Sequence, residues 1–122
     1  MNKIKNIEEA ISLFVDNAKE HAISSMTGNY KKGNKCFDNK MKCLSFLYKE
    51  HKLELLQVYL THKDVGVRES TAYALLNYFP AECERVLSEI AQGGYGIISF
   101  NADITLSEWK KGNLDFPFID CG

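Results

Sequence analysis

Apolar positions in the first part of the chain recur three and four residues apart. Ile7, Ala10, Ile11, Phe14, Val15, Ala18 and Ala22 form one stripe, the spacing of a helix with a single buried face. Asn6, with Glu9 three residues later, marks its start as a capping-box-like pair. Gly28 and Asn29 mark its end. Tyr30 to Lys35 is basic and contains Gly33, which reads as a linker or a frayed helix start. A second helix then runs to about His51, with Cys36, Phe37, Met41, Leu44, Leu47 and Tyr48 on a wide apolar face. Leu53, Leu56, Val58, Tyr59 and Leu60 predict a third, shorter helix over roughly Lys52 to Thr61. A fourth spans about Val65 to Phe79. Pro80 suits the first turn of a fifth, Ala81 to Ala91, whose buried side is Val86, Leu87, Ile90 and Ala91. Gly93, Gly94, Tyr95 and Gly96 break the chain. A sixth helix starts near Ser99 or Asn101, passes through Ala102, Leu106 and Trp109, and stops at Gly112. The tail from Leu114 carries Phe116, Phe118 and Ile119 and is expected to pack back on the body. The short run Tyr95 to Phe100 has β-formers, but glycine and cap residues bound it, so no strand is predicted. The expected fold is all-α: one domain over residues 1–122, a compact bundle of about six helices.

Composition narrows the class. The 122 residues are 45% hydrophobic and 25% charged, the balance of an ordinary globular domain. No segment approaches the roughly 20 consecutive apolar residues of a membrane span. The basic N-terminus lacks the apolar run and cleavage site of a signal peptide, so a cytoplasmic location is expected. A net charge of −1 argues against general binding to nucleic-acid phosphates. The halves differ: residues 1–62 carry ten Lys and seven acidic residues, residues 63–122 five basic and nine acidic. The acidic second half suits a basic partner, or an ordinary mixed surface.

Four cysteines, Cys36, Cys43, Cys83 and Cys121, form no C-x-x-C pair. Cys36 and Cys43 share a helix face but sit about 10 Å apart along the axis, too far for a disulfide. They read as small buried hydrophobes, with Cys121 as the exposed thiol. His21, His51 and His62 are scattered and fit no metal-ligand spacing. No nucleophile motif is present. Glu82, Glu84 and Glu89 read as a charged helix face. Gly93 to Gly96 lacks the lysine and Ser/Thr of a phosphate loop and reads as a turn. Trp109 reads as a core anchor. No catalytic residue, metal site or cofactor is therefore expected.

The stretch Asp64 to Leu75 carries a resemblance. Asp64 can cap the helix that follows it. Val67, Thr71, Ala74, Leu75 and Tyr78 should face inward, and Arg68 can tie adjacent turns together. Asp64, then Val67-Arg68, then the small residues Ser70, Thr71 and Ala72, then Ala74-Leu75 resemble the second helix of a HEAT repeat. The likeness covers about Leu53 to Tyr78. With Gly96, Phe100, Ala102, Thr105, Leu106, Glu108, Trp109, Gly112 and Leu114, the region to Leu114 is similar to a family of small, uncharacterised bacterial helical domains. That resemblance implies a short α-α superhelix that binds a protein, as immunity proteins encoded beside toxin genes do. In HEAT-like stacks the second helices line the binding surface, which makes Glu69, Tyr73 and Asn77, at successive i,i+4 positions, the expected exposed partner-binding stripe. The function expected from this resemblance is a non-enzymatic immunity protein that neutralises a cognate toxin, for example a nuclease. The alternative is a stand-alone helical adaptor or regulatory protein, monomeric or a homodimer.

Overall fold

A computed structural model describes residues 3–119. Among them all regular structure is helical. Two long helices, α1 (Ile7–Thr27) and α2 (Tyr30–Lys49), form an antiparallel hairpin. A run of 3-10 turns, Leu53–Thr61, leads into α3 (Val65–Ala74), α4 (Pro80–Ala91) and α5 (Ile97–Lys111). Cys121, expected as an exposed thiol, lies outside the described residues. None of the described helices is long and apolar enough to cross a membrane.

Local hydrogen-bond chemistry sets most of the ends. Asn6 Oδ1 accepts from Glu9 N at 2.8 Å, and Lys5 N donates to Glu9 Oε1 at 3.1 Å. Asp64 Oδ1 accepts from Val67 N at 3.1 Å. Each such cap satisfies a backbone donor that the first turn leaves free. Gly28 and Gly112 close α1 and α5 in the left-handed conformation, where a side chain would be strained.

Three boundaries differ from the sequence reading. Tyr30 to Lys35 is not a linker; it is the first turns of α2. Asn29 caps it through Lys32 N at 3.2 Å, and Lys32 pairs with Glu20 of α1 at 2.8 Å. Gly33 is buried beside Ser24 and His21, where a Cβ would make ordinary contacts at 3.6 and 3.7 Å, and it does not break the helix. The Leu53–Thr61 segment winds as 3-10 turns, which suit the three-residue spacing of Leu53, Leu56 and Tyr59; Val58 points outward, 71% exposed. The fourth helix stops at Ala74, five residues early. Phe79 N and Tyr78 N both donate to Leu75 O at 2.9 Å, closing a turn. Phe79 then adopts φ −135° and ψ 65°, because a residue before proline is pushed out of the helical region. α5 also starts earlier than expected, at Ile97.

The core lies between the hairpin and the C-terminal helices. Phe14, Leu44, Leu47, Leu53, Leu56, Leu75, Leu76, Leu87, Ile98 and Phe118 are fully buried within it. Each such side chain contributes about 1.5–3 kcal/mol relative to exposure. Val67, Thr71, Ala74 and Leu75 face inward as the spacing predicts, and Cys36, Cys43 and Cys83 are buried. α3 is pressed onto α1 at Gly66: a Cβ there would lie 2.6 Å from Ala22 Cβ and 3.0 Å from Ala18 O. The tail folds back, as expected, and Phe118 seals the bundle.

Candidate functional site

α5 packs on α4 and also touches α3 and α1. Opposite it, across a trough, stands α2. Ile97, Asn101 and Thr105 recur every four residues and form the α5 wall. Tyr30, Asn34, Phe37 and Met41 recur at the same kind of spacing on α2 and form the other. α1 contributes His21 and Ser24 to the floor, and α3 contributes Glu69, Ser70 and Tyr73. The trough has two cavities, of about 320 and 220 Å³, which share His21 and Asn101.

Its floor is polar. Lys40 is 6% exposed, on the face of α2 that also buries Cys36, Cys43, Leu44 and Leu47. Lys40 Nζ donates to Ser70 Oγ at 3.0 Å and lies 5.9 Å from the centre of the Phe37 ring. Among the described residues no carboxylate comes within 4 Å of it. Burial lowers its pKa to about 8, against a smaller opposing pull from Glu69. Glu69 is half-buried, and burial raises its carboxyl above the usual range while Lys40 opposes the shift. His21 stands edge-on to Phe37, with ring centres 6.1 Å apart. Burial, with the Lys40 charge as a second cause, lowers its pKa to about 4, so it is neutral at pH 7. Ser24 Oγ is buried with no hydrogen-bond partner among the described residues.

One end of the trough is open and apolar. Ile97, Phe100 and Ile104 follow one ridge of α5 and are 40%, 59% and 43% exposed. Tyr30 and Met26 are also exposed around this end, and Phe37 is exposed further along the trough. A third hollow, of about 440 Å³, runs on from it between Met26, Val65 and the Gly94–Ile98 segment. The ridge of α2 next to its trough wall exposes Lys31, Lys35 and Lys42.

The other end is closed by the chain itself. Tyr73 stacks on Phe116 with ring centres 5.3 Å apart, and its hydroxyl donates to Asp115 O at 2.7 Å. Phe118 meets Tyr73 and Tyr48 edge-on, and Phe116 meets Trp109 in the same way. The expected exposed stripe is therefore corrected. Asn77 is exposed, but Glu69 and Tyr73 are half-buried, Glu69 in the trough and Tyr73 under the tail. The tail, 42 residues along the chain, covers a face that helix periodicity left open.

The other candidates take structural places. Trp109 is half-buried and its indole N–H donates to Glu84 Oε2 at 3.1 Å, while Gln57 Nε2 donates to Glu82 Oε1 at 3.1 Å. Two of the three α4 carboxylates are thus engaged within the fold. Gly94 and Gly96 have φ of 76° and 61°, and Tyr95 N donates to Ser99 Oγ, which donates to Ile90 O. These bonds tie the glycine turn to the end of α4. Arg68 donates to the carbonyls of His62 and Lys63 at 2.7 and 3.0 Å and reaches Tyr95 Oη at 3.5 Å, linking two turns. Among the described residues no three His, Cys, Asp or Glu side chains converge as a metal site would need.

Lys40 was the functional candidate that periodicity could have flagged. Apolar residues stand four before it and three, four and seven after it, yet its charge hid it in a basic run. No known protein family, curated protein or solved structure matches the chain.

Proposed function

We propose that this chain is a non-enzymatic protein-binding module that receives a helix of its partner in the trough between α2 and α5. The observation that carries the reading is the exposed apolar ridge Ile97, Phe100 and Ile104 on α5, beside a trough whose α2 wall exposes Tyr30 and Phe37. Contiguous exposed apolar side chains beside a groove are costly unless something covers them. An amphipathic helix laid in a groove uses apolar anchors at this spacing. Lys31, Lys35 and Lys42 along one edge favour a partner helix with carboxylates on its flank.

The finer reading is an immunity protein that binds and neutralises a toxin. It rests on the resemblance of Leu53 to Leu114 to small bacterial helical domains. The test is co-expression with the product of the neighbouring gene, followed by purification at low salt. Retention of that product, and its release as salt rises, is the expected result. A neighbour that is no toxin and is not retained overturns the immunity reading.

A further inference from the structure

The trough floor holds a charge arrangement that the apolar anchors of the proposed docking do not use. Lys40 is buried in a cavity of about 220 Å³ and spends one of its three N–H groups on Ser70. Glu69 lines the same cavity. The two opposite charges are not in contact, since among the described residues no carboxylate lies within 4 Å of the ammonium. A buried charge is costly unless a counter-charge reaches it. Beside this cavity, Ser24 Oγ is buried with no partner among the described residues, and it lines the adjoining hollow that His21 and Asn101 share. Unspent hydrogen-bonding groups that converge on a concave space are the mark of a ligand site.

We infer that this floor is a binding site for a small aminocarboxylate, whose carboxylate meets Lys40 and whose ammonium meets Glu69. A simple carboxylate would satisfy Lys40 and face the Glu69 charge. A simple amine would satisfy Glu69 and face Lys40. A phosphate dianion would bring two charges to a single cation. A zwitterion with a short carbon chain meets both groups and lays its methylenes against Phe37 and Tyr73. Neutral His21 and the Asn101 amide, which both cavities share, can take further hydrogen bonds.

The test needs no protein partner, so its outcome is independent of the docking reading. The full chain, labelled with nitrogen-15, is titrated with linear amino acids from glycine to 6-aminohexanoate, and with butyrate and butylamine. The expected result is a saturable shift of amide signals around His21, Lys40 and Asn101 by one or more of the amino acids. Butyrate and butylamine should bind about tenfold more weakly or worse, the effect of one charge-assisted hydrogen bond. Lys40→Met should abolish binding. Should Lys40→Met fail to fold, Glu69→Gln carries the test, since it should remove the preference for amino acid over carboxylate. No saturable binding by any member overturns the inference. So does butyrate binding as tightly as the best amino acid, or an unchanged preference in Glu69→Gln.

Discussion

The two ends of the trough use the same chemistry to opposite effect. At one end Tyr73, Phe116, Phe118 and Trp109 form an aromatic cluster, supplied by α3, α5 and the tail. At the other, Met26, Tyr30, Ile97 and Phe100 stand exposed. Both are apolar rows on helix faces. The difference is that the chain brings its own cover to the first and none of the described residues covers the second. Apolar spacing on a helix therefore announces that a face is to be covered, without saying by what.

The largest expected effect is at the closed end. Phe118 is fully buried, and Phe118→Ala should cost about 3–5 kcal/mol of folding free energy, measured by denaturant unfolding. A cost near zero would mean that the tail does not seal the bundle. Tyr73→Phe is a finer cut, for it keeps the ring stack and removes the hydroxyl that donates to Asp115 O. Its cost should be about 0.5–1.5 kcal/mol. If Tyr73→Phe leaves stability unchanged but weakens partner binding, Tyr73 belongs to the interface and the comparison of the two ends fails.

A pH dependence sharpens the same contrast. His21, in the trough, has a pKa of about 4 in the fold against 6.5 as its ordinary value. Between those values the unfolded chain binds more protons than the folded one, so stability falls as pH drops from about 6.5 towards 4. His21→Gln should flatten that loss, read as the shift of unfolding midpoint between pH 7 and pH 5. An equal shift in the variant would place the acid sensitivity elsewhere.

What could be read from the sequence is what local chemistry decides. Asn6, Asp64, Gly28 and Gly112 announce their caps because the bonds they make are to neighbours in the chain. The inward stripe of α3 was likewise legible from spacing alone. Contacts made at a distance were not. Gly33 reads as part of a linker although it lies within α2, and nothing local to Gly66 shows that a Cβ there would stand 2.6 Å from Ala22 Cβ. The 3-10 winding of Leu53–Thr61 fits the three-residue spacing of Leu53, Leu56 and Tyr59, but Leu53, Leu56 and Leu60 fit an α-helix equally well. Helix periodicity leaves Tyr73 open because its cover, Phe116 and Phe118, lies far along the chain. The charge of Lys40 conceals its buried place among the apolar residues on either side.

The smallest expected change in stability belongs to the open end, and it bears on the central claim. Phe100 is 59% exposed, so Phe100→Asp should alter folding free energy by no more than about 0.5 kcal/mol. The decisive measurement is the dissociation constant for the protein retained from the neighbouring gene, taken with the unfolding midpoint of the same sample. Phe100→Asp is predicted to raise the dissociation constant by about 30-fold or more, the loss of one interface anchor, with the midpoint unmoved. Full affinity in Phe100→Asp, with the variant folded, would contradict the assignment of the open end as the binding face.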